Sequence, residues 1–322
     1  MKDLKDLKKL ANKKFATIIL PEANIDERIR QACIRLLKEG TTKLIVFGAI
    51  DGMTKEFLSD KCEIINIESD PRLEDFATQL YELRKHKGMT IDEAKELIKT
   101  PEYFSMLLLK NDYADGLVAG AKWTTANTLR PALQVIKCKK GKSSVVGSML
   151  MLKKGMDPLV YTDVSLIENP DSEQLAEIAI SGAEFMDKVV GNEPKVALLS
   201  YSTYGSAKSE MVDKVKNATE IAKSKSTYLI DGEMQGDSAL EMETAKKKCP
   251  TSKVAGQANV LVFPELDAGN IAYKLTAYFG GVQAVGPIML NFAKPINDLS
   301  RGSTVEEIIN TVYITKLMCE NK

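Results

Sequence analysis

Residues 294–309 read KPINDLSRGSTVEEII and set a serine, an arginine and a glycine directly before a segment with helical pattern. The first turn of a helix leaves backbone N–H groups unsatisfied, and the positive end of its dipole favours an anion there. Arg301 adds a planar fork suited to phosphate or carboxylate oxygens, Ser300 adds a hydroxyl, and Gly302 permits close approach or a positive φ. Ser303-Thr-Val-Glu306 fits a capping box, so the helix is expected near residue 304 with Glu306 as the reciprocal cap. Glu307 is then free to face whatever Arg301 holds. The triplet reads either as an anion-binding turn or as a plain turn with an exposed arginine.

Two further stretches offer polar groups at helix starts. In GLVAGAKWTTANTLRPALQVIK, residues 116–137, a proline suits a first helical turn and disfavours helical geometry in the residue before it. Arg130 is therefore expected at the edge of a helix beginning at Pro131, with Thr124, Thr125, Asn127 and Thr128 in the loop ahead. That loop is either a second anion site or a polar connection. In LLSYSTYGSAKSEM, residues 198–211, Gly205 and Ser206 lie between a strand and a helix expected from about Ser206. Its amides and hydroxyls suit a phosphate or a pantetheine chain, and a capped helix start accounts for them as well. Asp231, Glu233 and Asp237 in DGEMQGDSAL lack the calcium-loop spacing and any histidine, which favours a hydrogen-bonding loop over a metal site.

The elements that must carry these residues alternate in type. Short apolar runs (TIILP, KLIVFG, EIINI, GLVAGA, VVGSML, KVALLS, YLIDG, NVLVFP) are separated by amphipathic segments such as DERIRQACIRLLKEG, SEQLAEIAISGAEFMDKVV and DAGNIAYKLTAYFGG. This rhythm predicts an α/β fold with mostly parallel sheets, in which ligands bind beyond the carboxyl ends of the strands. The basic stretch KCKKGKSS, residues 137–144, is the expected linker between two domains.

Composition narrows the chemistry. Lys plus Arg and Asp plus Glu both total 44, so no global charge draws the chain to nucleic acid or an anionic membrane. No apolar stretch reaches the ~18 residues of a membrane span, and the first residues lack a signal-peptide core, so a cytoplasmic protein is expected. The five cysteines are scattered without a CxxC pair and read as reduced thiols. A single histidine, His86, in a basic run argues against histidine metal sites and serine–histidine triads. Gly141-Lys142-Ser143 lacks the upstream glycine of a phosphate loop, and no GxGxxG follows a strand.

Taken together, LPEANIDERIRQA, YELRKHKGMTIDEA, TLRPALQVIK, STYGSAKSE, DGEMQGDSAL, VAGQANVLVFPELDAGNIAYKL and GPI…AKPINDLSRG resemble the phosphate acetyltransferase family, from about residue 15 to the C-terminus. The resemblance implies transfer of acetyl between acetyl phosphate and coenzyme A, with coenzyme A as a substrate and no metal or cofactor. It implies two three-layer α/β domains like those of the isocitrate and isopropylmalate dehydrogenases, residues 1–142 with 290–322 and residues 143–289, an active site in the cleft between them, and commonly a homodimer. By position, Ser300 and Arg301 match the family's active-site serine and arginine, Arg84 and Arg130 match arginines of substrate or coenzyme A binding, and the catalytic aspartate falls at Glu307. Thr124, Thr128 and Ser206 are expected to add contacts to phosphate or coenzyme A. The chain departs from the family with Trp123-Thr124 for His-Ser, Asn127 for Asp, Tyr204 for Lys and Leu290-Asn291 for Gln-Gly. These departures leave open a longer-chain, butyryl-type acyltransferase and a catalytically silent sensing domain.

Overall fold

A computed structural model describes residues 1–50 and 53–320. In chain order its strands are β1 (Ala16–Ile19), β2 (Thr42–Phe47), β3 (Cys62–Ile65), β4 (Gly116–Ala119), β5 (Val146–Leu152), β6 (Leu159–Thr162), β7 (Lys195–Leu199), β8 (Leu229–Met234), β9 (Val260–Val262), β10 (Gln283–Leu290) and β11 (Ile296–Asp298). The helices are α1 (Leu4–Ala11), α2 (Glu27–Glu39), α3 (Leu73–Arg84), α4 (Ile91–Leu97), α5 (Pro101–Lys110), α6 (Thr125–Val135), α7 (Ser172–Phe185), α8 (Glu210–Lys225), α9 (Gly236–Leu240), α10 (Met242–Lys248), α11 (Leu266–Gly280) and α12 (Val305–Met318). The chain forms two compact units: a first made of residues 7–140 and the chain from Phe292 onward, and a second made of residues 1–6 and 141–291. The first six residues, expected with the first unit, join the second, where the Lys2 ammonium lies 3.7 Å from Asp157.

The sheet of the first unit has the order β11-β4-β1-β2-β3, with every neighbour parallel. All five carboxyl ends therefore face the same edge. The runs read as strands are here because they can be buried on both faces: all four residues of β4 and five of the six in β2 are buried. Helix α2 shows the local logic of the covering layer. Asp26 caps it by accepting from the amides of Arg28 and Ile29, Ile29, Ala32, Cys33, Leu36 and Leu37 form its buried stripe, and Gly40, at φ 76°, ends it. Thr90 and Glu93 form the capping box of α4. Phe47, Phe76 and Phe104 meet edge-on or tilted in this unit's core.

The second unit has the order β10-β5-β6-β9-β7-β8, parallel from β6 to β8 and antiparallel at β5 and β10. Three strands were not legible as such: β10 carries Gly286-Pro287, β11 is the three polar-rich residues Ile-Asn-Asp, and β6 has only four residues. Helix α8 starts at Glu210 with Ser209 as its cap, four residues later than expected, because Ser206 is used inside the preceding turn. Asp231 and Glu233 belong to β8 rather than to a loop. All five cysteines are free thiols, and no helix among the described residues is long and apolar enough to cross a membrane.

Lys316 on α12 is fully buried, its ammonium donating to the Thr41 carbonyl at 2.9 Å and to the hydroxyls of Thr41 and Thr42 at 3.0 Å each. Burial pushes its pKa down to about 8, against smaller opposing effects from Glu39 and Cys319. The fold thus releases this proton before the unfolded chain does, and stability should rise with pH between about 8 and the ordinary lysine range near 10.5. Lys316→Met should abolish that rise, measured as the denaturation midpoint across pH 7 to 10.5; an unchanged slope would refute the assignment.

Candidate active site

The carboxyl ends of β1, β4 and β11 are neighbours in the first sheet, and the segments leaving them build one constellation. After β1 the chain reaches Glu22, only 1% exposed. Its Oε2 accepts from the amides of Gly120 at 2.7 Å and Ala121 at 3.0 Å, and its Oε1 from those of Lys122 at 2.6 Å and Trp123 at 2.8 Å. One buried carboxylate thus organises the whole turn that follows β4. Gly120 is obligatory there: its φ is 107°, and a Cβ would fall 2.2 Å from Asp298 Oδ1 and 2.8 Å from the Leu299 amide nitrogen.

A second residue ties this turn to the Ser-Arg-Gly triplet. The Arg28 guanidinium donates to the carbonyls of Arg301 at 2.9 Å, Ser303 at 2.8 Å and Ala121 at 3.1 Å, and to both oxygens of Asp26. Burial raises the Asp26 pKa, but hydrogen bonds and charge from Arg28 outweigh it and hold the carboxyl below its usual range. The triplet itself is a turn: the Ser303 amide donates to the Ser300 carbonyl at 2.9 Å and the Gly302 amide to the Ser300 hydroxyl at 3.3 Å. Gly302 does not take a positive φ, and a Cβ on it would meet only Ser300 Oγ, at 3.8 Å.

The capping box of α12 lies one residue beyond the expected one. Thr304, not Ser303, is the cap, and Glu307, not Glu306, is its reciprocal partner: the Thr304 amide donates to Glu307 Oε2 at 2.7 Å and the Glu307 amide to the Thr304 hydroxyl at 3.3 Å. Glu306 instead pairs with Arg35. Both spacings fit the motif, and Ser303 is withdrawn from competition because its amide closes the turn on Ser300 while its side chain is buried. Glu307 remains exposed, with one oxygen committed to the cap.

Helix α6 also starts earlier than expected. Thr124 caps it through the Asn127 amide, and Pro131 sits inside it, so Arg130 lies in its second turn rather than at its N-terminus. Thr128, expected to offer its hydroxyl to a ligand, is fully buried and turned towards Asp298 instead. Arg84 ends α3, followed by a 3-10 turn over Lys85–Lys87. It lines a cavity of about 700 Å³ with Lys87, Met89, Asp92, Glu93 and Leu97, and its Nε is buried without a partner. Both Arg84 and Arg130 act on Tyr103 of α5: burial raises the phenol's pKa, and the two guanidiniums partly counter it.

The arginines divide by partner. The chain has seven, all in the first unit; Arg28, Arg30, Arg35 and Arg72 are paired with Asp26, Glu27, Glu306 and Asp70. Among the described residues, the guanidiniums of Arg84, Arg130 and Arg301 have no carboxylate within ion-pair distance. Three unpaired forks in a chain with as many acidic as basic residues are available to an anion from outside.

Asp298, two residues before Ser300, is 3% exposed, and its Oδ1 has no hydrogen-bond partner. Burial pushes its pKa up to about 6; the hydroxyls of Thr125 and Thr128 counter this in part, while the charge of Glu22 adds to it. Glu102 on α5 is raised for the same two reasons, burial first and then Glu22. Glu22, Arg28 and Asp298 were not singled out from the sequence. The one available signal was position: an acid just after a strand end, and a capping Asp26 with an arginine two residues on.

In the second unit, Ser206 serves its own turn, its hydroxyl accepting from the Thr203 amide at 3.0 Å. Beneath it Glu233, 1% exposed, accepts from the Ser202 hydroxyl and the Gly205 amide, both at 2.8 Å. Tyr204 donates to Asp231 at 2.5 Å, and Asp231 also takes Lys223 and Ser252. The three carboxylates are thus consumed by protein donors, Asp237 by Lys248 at 2.8 Å.

Two mostly parallel sheets covered by helices, with three guanidiniums that pair with no carboxylate among the described residues, define an α/β protein of doubly wound type. The chain matches the family described as phosphate acetyl/butaryl transferase over residues 3–316, and it belongs to that family. It is 45% identical to a phosphate acetyltransferase of Acetivibrio thermocellus, covering 99% of each chain. A phosphotransacetylase structure from Streptococcus pyogenes superposes with a TM-score of 0.91 at 38% identity, covering 98% of each chain. A 4-hydroxythreonine-4-phosphate dehydrogenase from Klebsiella pneumoniae shares the fold at a TM-score of 0.54 and 11% identity, covering 94% of this chain and 98% of that one.

The raised Asp298 pKa has a sign that can be checked. The folded state favours the neutral acid, a contribution present in full below the ordinary value of 3.8 and lost as pH rises towards 6. Asp298→Asn should therefore stabilise the protein at pH 7 to 8, by about 1–3 kcal/mol, and the gain should vanish towards pH 4. Urea titrations at the two pH values test this; a loss of stability at pH 8 would contradict it.

Proposed function

We propose that the chain catalyses reversible transfer of an acetyl group between acetyl phosphate and coenzyme A, the reaction named for its relatives. The observation that carries this reading is the set of three unpaired arginines, Arg84, Arg130 and Arg301, in a unit where every other arginine has a carboxylate. Acetyl phosphate and coenzyme A are both polyanions, and the thioester and the acyl phosphate exchange without a redox or metal-dependent step. In the forward step the coenzyme A thiolate adds to the acyl carbon, the oxyanion collapses, and phosphate leaves with the bonding pair. Ser300 and Arg301 are the donors at the oxyanion, Arg130 holds phosphate oxygens, and Arg84 binds coenzyme A. Fixed donors at a developing oxyanion are each worth about 2.7–4 kcal/mol.

A thiol of pKa near 8.5 is mostly protonated at neutral pH, so the reaction needs a base. Glu307 takes that part through Oε1 while Oε2 keeps the helix cap. The two duties separate in Glu307→Gln, since glutamine also serves in a capping box. The variant should keep its thermal midpoint within about 1–2 °C and lose about 10²- to 10⁴-fold in turnover. Unchanged turnover would leave Glu307 a capping residue only. The deciding assay mixes purified protein with acetyl phosphate and coenzyme A and follows thioester formation, with butyryl phosphate in parallel. No thioester from either substrate would support a silent family member, and faster use of butyryl phosphate would make the chain a longer-chain acyltransferase.

The chain is further proposed to form a homodimer in the cytoplasm, where coenzyme A and conditions that keep its five thiols reduced coincide. Helix α11 supports the dimer. Only Gly269 of its fifteen residues is buried, while Ile271, Leu275, Tyr278 and Phe279 form an exposed apolar stripe, the two aromatics 83% and 79% accessible. A stripe of this kind, interrupted only by the exposed Lys274, complements itself across a two-fold axis. Tyr278→Glu with Phe279→Glu should convert a dimer to a monomer in sedimentation equilibrium; a wild-type monomer would refute the proposal.

A further inference from the structure

Among the described residues Glu22 forms no ion pair and no hydrogen bond to Ser300 or Arg301, and yet it holds four successive amides with one buried carboxylate. Four charge-assisted donors on one carboxylate form a nest of the kind that otherwise receives an external anion. Here the chain fills it from within. The consequence reaches both halves of the constellation through short links. Ala121, whose amide Glu22 holds, presents its carbonyl to Arg28 at 3.1 Å, and the same guanidinium grips the carbonyls of Arg301 and Ser303. In the other direction the last amide in the nest is that of Trp123, and the next residue, Thr124, caps α6, which carries Arg130. Gly120, the first residue in the nest, packs its open face against Asp298 and Leu299, which lead directly into Ser300.

We propose that Glu22 is a positioning residue: by holding the 120–123 turn it sets the relative placement of Arg130 and of the Ser300–Arg301 turn. The inference rests on the acyl-transfer reading given above for its kinetic consequences, and on the hydrogen-bond geometry alone for its structural ones. A glutamine is not a silent replacement. Its amide nitrogen would point two hydrogens at two backbone N–H groups, leaving either the Gly120–Ala121 pair or the Lys122–Trp123 pair without an acceptor. An aspartate, shorter by one methylene, does not reach both pairs. An alanine leaves a nest of four N–H groups open to a small carboxylate from solution.

The test uses the full chain in three forms: wild type, Glu22→Gln and Glu22→Ala. Hydrogen exchange read at residues 120–123 and 301–303 should accelerate at both segments in Glu22→Gln, although Glu22 bonds only the first. In the acetyl phosphate and coenzyme A assay, kcat of Glu22→Gln should fall about tenfold or more, with the coenzyme A KM within about threefold of wild type, because Arg84 and its cavity stand on α3 and α4, outside the nest. Sodium formate should raise kcat of Glu22→Ala at least fivefold over an equal concentration of sodium chloride and leave wild type unchanged. Unaltered exchange at 301–303, or a well-folded Glu22→Gln with wild-type kcat, or a loss that formate does not relieve, overturns the proposal. If Glu22→Ala does not fold, Glu22→Gln decides alone through exchange and the kcat against KM split. If wild type forms no thioester, the reaction assigned above fails, and the exchange measurement still judges Glu22.

Discussion

A buried carboxylate that cannot find water must find donors, and the arrangement at the strand ends of the first unit follows from how Glu22 does so. Its four amide partners fix the turn after β4 in one conformation, with Gly120 the only residue that fits beside Asp298. Arg28 extends the constraint by bonding carbonyls from two turns that are remote in sequence, and Asp26 keeps it aligned by occupying the remaining side of its fork. A lysine offers no equivalent, since only a planar guanidinium presents fixed donors in several directions at once. The Ser300–Arg301 turn is thereby held through its backbone carbonyls while both residues stay exposed.

Around this scaffold the charges are unequally shared. Acidic groups are drawn inward: burial first, and then the charge of Glu22, push Asp298 and the half-buried Glu102 towards their neutral forms. Among the described residues, Arg84, Arg130 and Arg301 lack the carboxylate that each of the other four arginines has, and the last two are exposed. Since long-range charge is balanced over the chain, the local excess of positive charge is made by pairing rather than by composition. In the second unit the same principle runs the other way, where Asp231, Glu233 and Asp237 are saturated by Tyr204, Lys223, Ser202 and Lys248.

Two departures from expectation come from motifs that admit more than one register. Ser303-x-x-Glu306 and Thr304-x-x-Glu307 are equally good capping boxes in sequence, and the choice falls to the second because the Ser303 amide closes a turn on Ser300. That choice moves Glu307 from an unencumbered carboxylate to one with a cap to maintain. Pro131 reads as a helix start, yet α6 begins at Thr125 behind its Thr124 cap and carries the proline within it, since a capped N-terminus upstream outweighs one missing N–H. Arg130 consequently projects from a helix flank, and Thr128 turns inward to Asp298.

The alternating apolar and amphipathic runs determined by themselves the α/β class, most strands and the helices α2, α7 and α11; the resemblance of quoted motifs supplied the family and Arg84, while residue types at 130, 300 and 301 offered donors at expected helix starts. Those features are local, set by periodicity and by the chemistry of single side chains. Tertiary structure alone decided which carboxylates are buried, which arginines keep a partner, and which residue caps α12. Glu22 and Arg28 belong to that second kind: their partners lie about a hundred and more than two hundred and seventy residues away, and a hydrogen bond at such separation is specified by the closing of the sheet, which no short stretch of sequence records.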